Sequence, residues 1–279
     1  MTLYSLHFHV NIIIFAWQMA IKFFKYQATG NDFLIIDNRL DKFNKNNTKL
    51  IAKLCDRRFG IGSDGLILLE SSTDYDFEMI YYNADGKQSS MCGNGGRCIV
   101  AFAKSLKIIQ DTTNFMAIDG LHKATIDGSQ VSLKMRDVVK ISKVNGGFML
   151  DTGSPHYVSM RSDLNAIDVK FEGSQIRNST IFKKEGININ FVKSINQNRF
   201  AVRTYERGVE DETFSCGTGV TATAIAMHAS KETDKKRIEL QTKGGILEVC
   251  FEVDNSTYVN VWLSGSAQYV FEGTIKNEF

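Results

Sequence analysis

Two short segments constrain this chain more than anything else in it. Cys92-Gly-Asn-Gly-Gly and Cys216-Gly-Thr-Gly-Val lie 124 positions apart, close to half of the chain that follows Met19. Each opens a stretch, GGRCIVAFAKSL and GVTATAIAMHAS, that is small and apolar on nearly every side. A helix of that composition has no face for water and must be enclosed by other structure. The echo therefore implies two equivalent halves, each a strand-rich shell around a buried helix with a CGxG turn at its N-terminus.

The remaining sequence supplies the shells. Runs rich in β-branched and aromatic residues recur at Lys22–Tyr26, Phe33–Asn38, Leu66–Glu70, Phe77–Asn83, Val131–Met135, Phe148–Asp151, Phe200–Tyr205, Arg237–Thr242, Ile246–Val253 and Tyr258–Trp262, and these read as strands. Gly244-Gly245 and Asp254-Asn255 fall between such runs as hairpin turns, which makes the C-terminal third an antiparallel meander. Four segments read as helix: Thr48–Arg57, Gly95–Leu106, Ser162–Gln175 and Gly219–Ser230. The single proline, Pro155, marks no linker.

Composition narrows the function classes. The chain has 279 residues, 43% hydrophobic and 23% charged, as a folded globular protein has. The formal net charge is +2 and no run of like charge occurs, so neither nucleic acid nor a membrane surface is expected as a partner. Residues 1–18 are apolar from Val10 to Trp17, shorter than the roughly 20 residues a spanning helix needs, and lack the cationic start of a secretory signal. They are read as an N-terminal extension outside the fold, with Met19 as a second plausible start. Five cysteines, an odd number without CxxC pairs, point to reduced thiols and a cytoplasmic address rather than a disulfide framework or zinc site.

The position of two of those cysteines is chemical. A thiol at a helix N-terminus feels about half a positive charge from the macrodipole, which predicts a lowered pKa and a usable base. The glycines that follow let backbone N–H groups close on an anion. Two such turns facing each other would hold one carboxylate between them, with a sulfur on either side of the carbon attached to it. One thiolate would remove the α-proton while the opposite thiol protonates the other face. Cys55, Cys98 and Cys250 read instead as inert buried hydrophobes. His122, His156 and His228 stand alone, without the companions a metal site needs, and no metal is expected.

The motifs ATGNDF (28–33), RFGIGSDG (58–65), YYNADG (81–86), MCGNGGRC (91–98), GSPH (153–156), INFV (189–192) and YERGVEDETFSCGTG (205–219) resemble, in order, those of the diaminopimelate epimerases. The resemblance runs from about Ile21 to the C-terminus. It implies an α/β (α+β type) fold of two pseudo-symmetric domains, each a curled antiparallel-rich β-sheet wrapped around a central helix, with the active site in the interdomain cleft. The domains would be 19–134 with 265–279, carrying Cys92, and 135–264, carrying Cys216. It further implies epimerisation of LL- to meso-2,6-diaminopimelate without pyridoxal phosphate or any other cofactor, for lysine and peptidoglycan precursors. A homodimer is the one protein partnership expected.

The same resemblance names the site. Cys92 and Cys216 would be the acid/base pair, with Glu206 and His156 near the thiols to help set their protonation. Gly93, Asn94, Gly217 and Thr218 would give N–H groups to the carboxylate of the inverting centre. Arg207, Asn83 and Asn188 would take the distal carboxylate. Glu206 and Asn31 would address polar groups of the substrate. Gly65 and Ser154 stand where some members carry Gln and Asn and are read as pocket-lining positions. Asn190, often Gly in the family, receives no role. Two sister readings exist: a proline or hydroxyproline racemase, which would leave Arg207 and Asn188 without a partner, and a phenazine-type isomerase, which would lack the cysteine pair. A reading of another class makes Cys92 and Cys216 a non-catalytic redox switch.

Overall fold

The computed structural model describes residues 20–275, so the N-terminal extension lies outside the described residues. Among these, 18 strands form one continuous sheet around four helices: α1 (Thr48–Cys55), α2 (Gly93–Ser105), α3 (Val169–Arg177) and α4 (Gly217–Ala229).

The two halves repeat one plan. Strand Asn31–Asp37 runs parallel to Gly65–Glu70 with α1 in the connection, as Pro155–Met160 runs parallel to Asn188–Asn196 with α3 between. Strand Phe77–Asn83 runs parallel to Thr112–Ala117 with α2 in the connection, as Arg199–Glu206 runs parallel to Arg237–Thr242 with α4 between. The remaining pairings are antiparallel. The halves are joined where Thr257–Ser266 pairs with Gln130–Lys134, and the last strand, Gln268–Ile275, returns to pair with Ile21–Ala28.

Burial on both sheet faces explains the sequence. In Asn31–Asp37, Phe33 and Ile35 pack against α2, whereas Leu34 and Ile36 pack against α1 with Ile51 and Leu54. Such a strand reads as an unbroken apolar run instead of an alternating one. α4 sits in its own core with Phe200, Val202, Leu240, Leu247 and Val249, and α3 covers the outer face with Tyr157, Phe182 and Phe191.

Capping separates the outer helices from the central ones. Asn47 and Asp168 cap α1 and α3 by accepting from the N–H of Leu50 and Phe171. The N-cap residues of α2 and α4 are Cys92 and Cys216, whose side chains make no capping bond. Their first-turn N–H groups are left for another partner.

Three expectations shift. The helix expected from Ser162 begins only at Val169, because Asp168 is its N-cap and 162–168 are turn. The hairpin tip expected at Asp254-Asn255 is Asn255-Ser256, both at positive φ (46° and 71°), since Asp254 pairs with Thr257. The other tip is Lys243-Gly244, between paired Thr242 and Gly245.

Candidate active site

The two CGxG turns meet. A methyl group on Gly93 would lie 3.7 Å from the Cα of Gly217, and one on Gly217 would lie 3.6 Å from the Cα of Gly93. The helices thus abut through their N-terminal glycines, whose backbones lie close enough for a methyl group on either to be in contact with the other. Cys92 is half-buried and Cys216 is buried at 8% exposure. All five cysteines are free.

The thiols do not have the lowered pKa that the helix starts predict. Burial pushes the Cys216 thiol up to about 12 and raises Cys92 too. The negative Glu206 carboxylate raises both further. The N–H groups of Gly95 and Asn94 near Cys92, and of Gly219 near Cys216, act in the opposite direction. Desolvation of a buried anion outweighs the helix end here.

Each sulfur has a distinct polar escort. The Cys92 Sγ lies 3.6 Å from Asn31 Oδ1, and that oxygen also accepts from Asn94 Nδ2 at 3.1 Å. Asn31 Nδ2 in turn donates to Asp64 Oδ2 at 2.5 Å. Asp64 is held by Arg57, which also pairs with Asp32 at 2.6 Å. This Arg57 clamp fastens the loop preceding Gly65 to the strand carrying Asn31.

On the other side a relay ends at Cys216. Asn190 Nδ2 lies 3.1 Å from His156 Nδ1, and His156 Nε2 lies 2.9 Å from Thr218 Oγ1. Thr218 Oγ1 lies 3.4 Å from Cys216 Sγ. An amide N–H can only donate, so His156 Nδ1 accepts and the ring proton sits on Nε2. Thr218 therefore accepts from His156 and turns its own hydroxyl toward the sulfur. His156 is fully buried, which lowers its pKa to about 3 and keeps it neutral, and it reaches the thiol only through Thr218. Asn190, given no role from sequence, is fully buried and also accepts from Thr204 Oγ1 at 2.9 Å.

Glu206 ends the strand Arg199–Glu206, half-buried, with its carboxyl pKa pushed up by burial. Arg207 is exposed, its Nη1 donating to the carbonyl of Glu185 at 3.0 Å. Asn83 is exposed at the end of its strand. Asn188 is not offered as a free amide. Its Oδ1 accepts from the Arg207 N–H at 2.9 Å, and its Nδ2 donates to Ser154 Oγ at 2.9 Å and to the carbonyl of Pro155 at 3.1 Å. It fixes the Arg207 main chain and Ser154. At Gly65 a methyl group would meet the carbonyl of Tyr82 at 2.5 Å and the Tyr81 ring at 2.6 Å, so a longer side chain has no room.

The other candidates fall elsewhere. Cys55 and Cys98 are core residues. Cys250 is half-buried beside Glu248, 3.5 Å away, rather than in a core, because it faces outward from its strand. His122 pairs with Asp119 and stacks on Phe115, and His228 meets the Tyr258 hydroxyl at 2.9 Å. An open groove of about 650 Å³ is lined by residues such as Arg237, Glu248, Cys250 and Trp262 and by none of the acid/base or substrate-binding residues named from the sequence. Chemistry, not volume, locates the site.

Six participants escaped the sequence reading: Thr29, Arg57, Asp64, Arg97, Asn190 and Ser215. Ser215 Oγ lies 2.7 Å from Thr29 Oγ1, and Asn94 Nδ2 donates to both the Oγ and the carbonyl of Ser215 at 3.2 Å. These bonds cross between segments more than 100 residues apart, and the one local signal was a lone arginine in an enclosed helix.

Comparison with known proteins follows the same lines. The sequence model of diaminopimelate epimerase matches residues 23–141 and 148–270. A diaminopimelate epimerase of Flavobacterium psychrophilum is 56% identical over 91% of this chain and 100% of its own length. That of Chlorobaculum tepidum is 39% identical over 89% and 98%. Among solved structures, a phenazine biosynthesis protein of the PhzF family from Bacillus anthracis superposes with a TM-score of 0.71 at 13% identity, covering 92% of this chain and 99% of that one. A hydroxyproline epimerase from Agrobacterium vitis gives 0.66 at 12%, covering 94% of each. The last two share the two-domain fold. By the sequence match over most of its length, with the Flavobacterium psychrophilum enzyme more than half identical, the chain belongs to the diaminopimelate epimerase family and is an isomerase.

Proposed function

We propose that this enzyme interconverts LL- and meso-2,6-diaminopimelate in the cytoplasm by a two-base mechanism, without a cofactor, between lobes formed by 19–134 with 265–279 and by 135–264. The observation that carries this reading is the contact of the two helix starts at Gly93 and Gly217, each preceded by a free cysteine. Both cysteines occupy N-cap positions whose N–H groups are free of side-chain caps.

In the reaction one sulfur acts as thiolate and takes the α-proton. The other, as thiol, gives its proton to the opposite face of the same carbon. The charge that develops on the α-carboxylate is met by the N–H groups of Gly93, Asn94, Gly217 and Thr218. Burial makes each thiolate a stronger base, and the ammonium of the substrate offsets the cost of ionising it. Glu206, charged against both sulfurs, and the neutral His156 acting through Thr218 tune which thiol is ionised. Arg207 and Asn83, exposed at the rim, take the distal carboxylate. The turns are in contact, so substrate entry requires the lobes to part and product release requires it again.

Incubation with LL-diaminopimelate in deuterated water tests the reading. Meso product carrying one α-deuterium is the expected result. No meso product and no α-deuterium in either isomer, or proline labelled instead in a parallel incubation, would overturn it.

A further inference from the structure

Arg97 is the anomaly of this fold. It lies in the first turns of α2, five residues after Cys92, with 0% exposure. Among the described residues no carboxylate neutralises it: the charges acting on it are the thiols Cys98 and Cys92. Its Nη2 donates to Asn94 Oδ1 at 2.8 Å and to Thr29 Oγ1 at 2.9 Å, while Nε and Nη1 are buried without a partner. The guanidinium rests on the backbone of Gly265, where a methyl group would come within 3.2 Å of Nε. A buried unpaired cation with two unsatisfied donors is costly, and an apolar side chain of the same length would be the stabilising choice.

Its contacts show what the charge is applied to. By fixing Asn94 Oδ1, Arg97 sets the orientation of that amide. Asn94 Nδ2 is then aimed at Asn31 Oδ1, the acceptor beside the Cys92 thiol, and at Ser215, the residue before Cys216. Thr29, the second anchor of Arg97, holds the same Ser215 hydroxyl. One guanidinium therefore orders both cysteine turns at their point of contact.

We propose that Arg97 is a positioning residue of the epimerase centre: through Asn94 and Thr29 it holds the Cys92 turn against the Cys216 turn, and its unneutralised charge favours an anion between them. The proposal rests on the epimerase reading for its kinetic half. The Cys92 sulfur is faced by Glu206, Tyr81, Cys98 and Cys216 as well as by Arg97, and Arg97 is the one cation in that group. Its removal leaves the Glu206 carboxylate to act on Cys92, opposed only by the N–H groups of Gly95 and Asn94.

The test compares Arg97→Met and Arg97→Lys with the parent enzyme by α-deuterium exchange kinetics, by thermal unfolding, and by the pH dependence of Cys92 alkylation with iodoacetamide, read by peptide mass. Arg97→Met is expected to lose roughly 100-fold in kcat with KM changed by about threefold or less, because a transition-state interaction is removed. It should unfold no more easily than the parent, and its Cys92 alkylation midpoint should rise by about one pH unit. Arg97→Lys keeps the charge and should restore the midpoint, but it lacks the planar fork and should regain only part of kcat. An alkylation midpoint unmoved in Arg97→Met, or kcat within twofold of the parent in both variants, overturns the proposal. If Arg97→Met does not fold, Arg97→Lys decides: kcat within twofold of the parent overturns it, whereas lost kcat with the midpoint retained supports it. A parent enzyme inactive on diaminopimelate would refute the epimerase reading alone, since the alkylation midpoints still judge Arg97.

Discussion

The relay onto Cys216 makes Thr218→Val an informative substitution. Valine matches threonine in shape, so the methyl group near Gly153 and the backbone carbonyl that accepts from Thr152 stay in place. Only the hydroxyl goes. Two bonds are lost: the 2.9 Å bond that satisfies His156 Nε2 and the 3.4 Å bond to the Cys216 sulfur. The first leaves a donor on a fully buried ring unpaired, which costs about 1–3 kcal/mol of stability. The second removes a hydroxyl that lowers the Cys216 pKa, and a hydrogen bond to a charged group is worth about 1.5–3 kcal/mol. If the thiolate forms in the rate-limiting step, that is a loss of roughly 10- to 100-fold in kcat. Because the hydroxyl favours the thiolate, its removal raises the thiol pKa, so the rising limb of the pH–rate profile moves to higher pH. Thr218→Ser keeps the hydroxyl and should stay close to the parent. The assay is α-deuterium exchange from pH 6 to 10 (roughly the range in which a perturbed thiol titrates), with urea unfolding in parallel. A Thr218→Val enzyme with parental kcat and an unshifted profile would refute the relay.

Three further outcomes follow from the same geometry. His156 has a folded pKa of about 3 against an ordinary 6.5, so the unfolded chain binds a proton that the native one refuses. Its contribution to stability is complete above about pH 6.5 and is lost as pH falls toward 3. The parent should lose about 3 kcal/mol more than His156→Gln between pH 7.5 and 4.5 in urea unfolding, and equal losses would contradict the buried neutral ring. Arg207→Met should raise KM for diaminopimelate roughly 10- to 100-fold with little change in unfolding temperature, because the side chain is exposed and its loss leaves a substrate carboxylate unpaired; an unchanged KM would remove it from the site. Mild oxidation should join Cys92 and Cys216 and abolish activity until dithiothreitol is added. Peptide mapping that finds both thiols free in the oxidised, inactive enzyme would contradict their facing arrangement.

What the sequence reveals, and what it hides, divides along physical lines. The central helices are legible because enclosure removes every polar face, as in 219–230, and because glycine marks their starts. Strands such as Asn31–Asp37 and Gly65–Glu70 announce themselves by burial on both faces. Thr112–Ala117 and Gly120–Asp127 do not, since every other residue faces water and the sequence carries Thr, Asn, His and Lys. Pro155–Met160 opens on a proline, and Gln268–Ile275 is exposed along most of its length. In the site, the cysteine turns and their glycines are local features with a readable chemistry. The escorts are not. Asn190 meets His156 across neighbouring strands 34 positions apart, Arg97 reaches Thr29 68 positions away, and Ser215 meets Thr29 and Asn94 only when the halves close, through bonds that span up to 186 positions. The thiol pKa escaped for a related reason: the helix end can be read from sequence, but the burial that overrides it cannot.

The measurement that bears most directly on two opposed sulfurs is the distribution of label at early times, with LL-diaminopimelate turned over in deuterated water and both isomers examined before a tenth of the substrate has reacted. Two bases on opposite faces place solvent deuterium in the meso product while leaving the remaining LL isomer unlabelled. Label appearing equally in both isomers would mean that a single base serves both faces, and the paired-cysteine account would be wrong.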